Sequence, residues 1–313
     1  MIWCDRLVRI FTAGGVEVQA LQGLDLQVGR GELTALVGVS GSGKSTLLNI
    51  LAALDVPTGG QAQVAGHDLL TMGPKDRLVY RRETVGFIWQ QTSRNLLAQL
   101  TAAENIELPM RLAGVARGSR RARAGELLEL IGLADCRDRL GPQMSGGQQQ
   151  RLAVAVALAN QPHVLLADEP TGELDSQTAG EVFAALRTVN AELGVTVLIV
   201  THDEMVSSQV RRTVAIRDGR ISTEVLRRAA ADADGGEAEV SEEYAVLDRA
   251  GRLQLPGDFM RALDLRDRVR LALEPDHVQV WPDSPAGPPG SQARPAGEPG
   301  LSPGKEAEDG RGD

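Results

Sequence analysis

The chain has 313 residues, 33 lysines and arginines against 42 aspartates and glutamates, a net charge of −9, and 42% apolar content. That length allows one large domain with a smaller companion and a sizeable core, the near-average composition excludes disorder throughout, and the acidic balance argues against a general nucleic-acid coating protein. Two cysteines, Cys4 and Cys136, cannot build a disulfide framework, which points to a reducing compartment; no apolar run reaches the roughly 18 residues of a membrane span, and Asp5, Arg6 and Arg9 interrupt the start where a signal peptide needs its apolar stretch.

Apolar runs of strand length, LTALVGV from Leu33, VLLA from Val164 and VTVLIV from Val195, alternate with helical patterns. Such continuous apolar strands suggest a largely parallel sheet covered on both faces. Gly38 to Ser45 reads GVSGSGKS, between the first of these runs and the helical stretch STLLNILAAL. This is the strand–loop–helix context that a phosphate loop requires. Gly38, Gly41 and Gly43 let backbone N–H groups turn inward, with Ser40 and Ser42 between them. Lys44 reaches the β- and γ-phosphates, the Ser45 hydroxyl can ligate Mg²⁺, and Thr46 continues into the helix. Only three lysines occur in the chain, Lys44, Lys75 and Lys305, which makes Lys44 harder to dismiss as chance.

Met144 to Arg151 reads MSGGQQQR before an apolar run, so a serine and two glycines open a helix whose N-terminus offers N–H donors to an anion, or simply caps it. Next comes VLLADE, a second apolar strand ending in adjacent carboxylates. Asp168 is placed to hold Mg²⁺, directly or through water, and Glu169, diverging from it, to accept a proton from a water attacking the γ-phosphate.

Together GVSGSGKS, MSGGQ, VLLADEP and THD from Thr201 resemble the nucleotide-binding domain of ATP-binding cassette (ABC) proteins over roughly residues 1–225. The resemblance implies an α/β P-loop NTPase cassette with a mixed sheet core and a helical subdomain at about 90–150, hydrolysing ATP with Mg²⁺. Phe11 then stands where the family stacks an aromatic on adenine, and Gln90, with Gln91 as the competing choice, where a glutamine links Mg²⁺ and the attacking water to the helical subdomain. His202 matches the histidine that contacts the γ-phosphate, Asp175 the acid that touches the opposite subunit. Ser145, Gly146, Gly147 and Gln148 would complete the ATP site of a second copy, so that two chains clamp two ATPs.

Within the family, SRNLLAQLTAAENIELP, SGGQQQRLAVAVALAN and PTGELDSQT are similar to the lipoprotein-releasing and macrolide-exporting group. That implies a cytoplasmic ATPase, peripheral on the inner face of the membrane, driving separately encoded permease subunits, with no nucleic-acid partner. A soluble ABC ATPase acting on DNA or ribosomes, or an ATP-gated DNA-binding regulator, is the alternative. Met144, Glu173, Ala98 and Val156 depart from the group's usual residues and remove no catalytic group. The run RGSRRAR from Arg117 is either a solvated helix face or a contact for anionic lipid.

Residues 1–226 therefore form the expected cassette and 227–243, small and acidic, a linker. Residues 244–281 read as strand, Gly turn, strand, short helix and two strands, similar around DRAGRLQLP to the swapped-hairpin fold of AbrB-like regulators. From Val240 to Trp281 eight acids meet six arginines, net −2, which favours dimerisation or regulation of the ATPase over DNA binding. Residues 282–313 hold seven of 15 prolines and seven of 35 glycines and are expected to be disordered; the terminal Arg-Gly-Asp is read as chance.

Overall fold

Alternation of side chains along the strands decides the architecture. In β3 (Leu33–Val37), β7 (Val164–Asp168) and β8 (Thr196–Val200) nearly every residue is buried, so their sheet must be covered on both sides. Ala35, Leu165, Ala167, Val197 and Ile199 enter one core cluster, whereas Leu36, Val164, Leu166, Leu198 and Val200 enter another. This is the period-two division that a doubly covered sheet imposes. The computed structural model describes residues 1–202, 207–231, 237–248 and 251–282.

With β6 (Val85–Ile88), β9 (Arg212–Arg217), β10 (Arg220–Ala231) and β11 (Glu237–Ala245), these strands form a seven-stranded sheet of order β11-β10-β9-β3-β8-β7-β6. From β9 to β6 the neighbours run parallel, and β10 and β11 add antiparallel at one edge. One face packs on α1 (Lys44–Leu51) and on an antiparallel sheet built from β1 (Ile2–Ala13), β2 (Val16–Val28), β4 (Gly59–Val64) and β5 (His67–Asp68). Tyr80, in α2 (Pro74–Glu83), lies in this cluster and satisfies its hydroxyl by donating to the Leu51 carbonyl at 2.6 Å. Cys4 shares the same core; burial, and behind it the Asp25 carboxylate, push its thiol up to about 12, so at neutral pH it is a poor nucleophile.

The other face packs on α3 (Ala102–Leu112), α4 (Arg117–Leu130) and α5 (Gly146–Leu158) through Ile106, Met110, Leu127, Leu128 and Leu152. The α/β cassette with a mixed sheet and a helical subdomain is thus the fold that forms. The arginine run opens α4, and two of its members turn to the protein: Arg120 donates to the Val115 carbonyl at 2.6 Å and faces Glu107 at 3.6 Å, and Arg123 pairs with Glu126 at 3.3 Å. Those two belong to neither the solvated nor the lipid-facing set.

Of residues 227–243, expected as a linker, 227–231 instead end β10 and 237–243 form most of β11. Nine successive residue pairs, Thr223 with Ala245 through Ala231 with Glu237, close this hairpin, because an edge strand offers backbone partners that a coil segment lacks. The first compact unit accordingly runs Met1–Pro256 and the second begins at Gly257, not near 244. Within the second unit α7 (Gly257–Ala262) precedes an antiparallel hairpin of β12 (Val269–Leu273) and β13 (Val278–Pro282), pairing Leu271 with Val280. Of the tail expected over 282–313, Pro282 instead closes β13, paired with Val269, and 283–313 lie outside the described residues.

Candidate functional site

The phosphate loop leaves β3 and enters α1 directly. Gly43 caps α1 at φ +106 with no side-chain hydrogen bond to the first turn, which holds no acid, so the helix presents unsatisfied N–H groups to the space in front of it. A Cβ at Gly43 would lie 2.6 Å from the Ala20 carbonyl oxygen, and one at Gly38 2.3 Å from that of Ile216. Glycine is therefore demanded twice by close approach of backbone, and at Gly43 by dihedral angle as well. The Lys44 ammonium, almost buried, donates to the Gly38 and Val39 carbonyls at 2.7 and 3.0 Å, leaving one of its three donors for a ligand.

A cleft of about 610 Å³ opens here, lined by Gly38, Ser40, Gly41, Gly43, Lys44, Ser45, Thr46, Gln90, Asp168, Glu169 and His202. Eleven positions singled out in the sequence thus meet in one place. Gln90 lines the cleft and Gln91 does not; the Gln91 carbonyl caps the turn at Thr92–Arg94. Ser42 departs from expectation: it is buried at 3% exposure, under the loop and against Gly38, because the loop needs an inward residue to seat it on the sheet. Phe11 is also not among the lining residues; it stands on β1, paired with Val18, with the Arg9 guanidinium 4.3 Å above its ring. Ala20 and Val39 line the cleft and escaped the sequence reading, since neither carries a side chain with a chemical signature.

Ser45 and Asp168, 123 residues apart, come together with the hydroxyl 3.4 Å from the carboxylate. Adjacent Mg²⁺ ligands at 2.1 Å from the ion stand about 3.0 Å apart, so a modest adjustment fits the pair to one cation. Among the described residues no group of three His, Cys, Asp or Glu could hold a metal, and a cation here would rely on ligand phosphates, as Mg²⁺ commonly does. Burial first, then the neighbouring Glu169 carboxylate, raise the Asp168 pKa against the opposing Ser45 hydrogen bond and Lys44 charge. A raised folded-state value means that protonation favours the fold, so stability falls as pH rises from the ordinary carboxylate range through that raised value. Asp168→Asn is accordingly expected to raise the melting temperature of the nucleotide-free protein near pH 7 while abolishing Mg²⁺-dependent hydrolysis; a lower melting temperature in chelator would contradict this electrostatic account.

Glu169 continues past β7, its N–H donating to the Val200 carbonyl at 2.9 Å, and turns at φ +49, a conformation that costs a non-glycine residue of order 1 kcal/mol or more. The turn brings its carboxylate 2.5 Å from His202 Nδ1. Ser145 to Gln148 are absent from this cleft. Ser145 caps α5, its Oγ accepting from the Gln148 N–H at 3.3 Å while the Gln148 side chain accepts from the Ser145 N–H at 3.0 Å, and Ser145 and Gly146 are exposed. Asp175 caps α6 (Ser176–Leu193), accepting from the Thr178 N–H and hydroxyl at 3.0 and 2.7 Å, and these bonds hold its carboxyl below the usual range.

The family model for ABC transporters matches residues 21–172. The macrolide export ATP-binding/permease protein MacB of Salmonella paratyphi A is 50% identical over 213 residues, covering 68% of this chain and 32% of that protein; the chain thus spans about a third of the length of such relatives. An uncharacterized ABC transporter ATP-binding protein of Thermotoga maritima is 47% identical over 213 residues, 68% of this chain and 90% of that one. Among solved structures, the dimeric post-hydrolysis state of the ATP-binding cassette MJ0796, bound to ADP and Pi, superposes with a TM-score of 0.65 at 37% identity, covering 72% of this chain and 97% of that one. With its phosphate loop, paired carboxylates and His202 gathered in one cleft of the matched fold, the chain belongs to the ABC transporter family as an ATP-binding cassette.

Proposed function

We propose that the chain is the ATP-hydrolysing partner of an export-type membrane permease, working as a head-to-tail pair of cassettes on the cytoplasmic face of the membrane. The observation that carries this reading is the division of the motifs: phosphate loop, Asp168, Glu169, Gln90 and His202 share one cleft, while Ser145 to Gln148 lie outside it, with Ser145 and Gly146 exposed. A site split in this way is completed by a second copy. In the pair, Lys44 and the first turn of α1 bind phosphates, Ser45 and Asp168 hold Mg²⁺, and Mg²⁺ when bound neutralises phosphate charge. Glu169 takes the proton of the attacking water, with His202 and Gln90 reporting on the γ-phosphate and Asp175 ordering the facing loop. Phe11 offers its ring to adenine from the end of β1.

A second groove supports the permease. Leu78, Phe87, Trp89 and Leu112 line it, with Arg81, Arg82 and Arg94 at its walls, and Leu78 and Leu112 are 58% and 72% exposed. A short amphipathic element with an acidic edge would bury that surface. The resemblance of its cassette to MacB makes a macrolide-exporter-like permease the first candidate. The hairpin of β12 and β13 exposes Leu271 and Leu273, and we assign the AbrB-like segment a dimerising or regulatory role on the same pair. The test is to express the Glu169→Gln form in its native host, trap it with Mg²⁺ and ATP, and identify what copurifies from solubilised membranes. A stoichiometric multi-span permease is the expected result; nucleic acid or ribosomal protein without a membrane partner would replace this reading with a soluble one.

A further inference from the structure

A cavity of about 700 Å³ lies at the end of β3 and β9 opposite the phosphate loop, lined by six arginines: Arg30, Arg187, Arg211, Arg212, Arg227 and Arg228. Thr34 of β3 pairs with Arg212 and Val37 with Ala215, so both strands run from this cavity towards the loop after Val37. The strand length between them is roughly 15 Å, which makes it separate from the nucleotide cleft. In a chain of net charge −9, six guanidinium groups around one cavity invert the local sign.

Two of the six are committed to the fold. Arg212 engages two carboxylates, Glu224 at 2.7 Å and the cavity-lining Glu32 at 3.2 Å, and donates to the Gln27 carbonyl at 2.6 Å. Arg227 donates to the Ser207 and Val210 carbonyls at 2.9 and 3.2 Å and to the Thr213 hydroxyl at 3.0 Å. They give the cavity a fixed wall. Asn190, also lining it, is spent on the Gly31 and Val195 carbonyls. Arg30, Arg187, Arg211 and Arg228 are exposed, and no salt bridge to any of them forms among the described residues; Arg187 lies 5.7 Å over the Phe183 ring. Glu242 on the adjoining strand accepts a hydrogen bond from the Tyr244 hydroxyl.

Four guanidinium groups with no salt bridge among the described residues, set beside a rigid polar wall, repel one another, and a multiply charged anion relieves that repulsion while accepting forked hydrogen bonds. We infer that this cavity is a binding site for a multiply charged phosphate group, carried either by a free anion or by a lipid headgroup. The assignment is independent of the permease reading, since it uses none of its residues.

The full chain, its nucleotide cleft saturated with ADP and Mg²⁺ so that the phosphate loop cannot respond, is titrated with inorganic pyrophosphate at constant ionic strength and followed by thermal melting. The wild type is expected to gain stability with pyrophosphate, and the Arg187→Gln/Arg211→Gln/Arg228→Gln variant to bind about tenfold more weakly with ATP hydrolysis retained. If the triple variant does not fold, each single change is expected to weaken the response. Absence of a wild-type response, or an equal response in the variants, overturns the site. Sedimentation with vesicles of phosphatidylcholine containing phosphatidate, lost in the variant, identifies the headgroup as the source; a pyrophosphate response without vesicle binding identifies a free anion. Vesicle binding that survives the substitutions counts against the cavity.

Discussion

Glu169→Gln is expected to leave ATP binding intact and to slow hydrolysis by about 10²–10⁴-fold, the range a positioned general base supplies. The carboxylate is set by two long-range interactions, the Glu169 N–H on the Val200 carbonyl and its side chain on His202, and by a left-handed turn at φ +49. Glutamine keeps the size and the hydrogen bond to His202 but cannot take a proton. The mutant should therefore accumulate the ATP-bound pair, visible as a nucleotide-dependent shift to the dimer in size-exclusion chromatography. Phosphate release at the wild-type rate would remove Glu169 as the base, and the loss of nucleotide binding along with turnover would mean that the turn itself had collapsed.

Lys44→Ala is expected to weaken ATP binding by roughly 10–100-fold, corresponding to about 1.5–3 kcal/mol for a lost charge-assisted hydrogen bond. Two losses add in the same direction. The ammonium no longer meets the phosphates, and the bonds that hold the loop to itself, from Nζ to the Gly38 and Val39 carbonyls, disappear. Lys44→Arg should not restore affinity, because a planar fork cannot occupy the nearly buried position of a compact ammonium. Calorimetric titration with ATP measures both variants, and unchanged affinity would undo the phosphate-loop assignment.

Much of the nucleotide cleft is legible from residue order because its parts are local. A run of apolar residues, glycines at Gly38, Gly41 and Gly43 and a helix beginning at Lys44 specify strand, loop and helix without reference to anything distant, and the spacing of Asp168 and Glu169 at the end of an apolar run does the same. The signature turn at Ser145 is equally local: its capping box closes within four residues. The doubly covered sheet was also readable, since β7 and β8 are apolar at nearly every position.

What tertiary structure alone decided are the encounters between segments far apart in the chain. Gln90 rather than Gln91 enters the cleft, and Ser42 turns inward, because β6 and the phosphate loop are seated by neighbouring strands that local pattern does not name. Residues 227–243 read as linker by composition, yet the open edge of β10 supplies hydrogen-bond partners for β11. The arginines of the second cavity come from four separate stretches, around 30, 187, 211 and 228, scattered among ordinary charged positions; only the parallel pairing of β3 with β9, and the packing of α6 beside them, concentrates their charge. Residue order specifies conformations whose energy is local, whereas contacts across more than a hundred residues depend on which strand lies beside which, and that order follows from burying two core clusters at once.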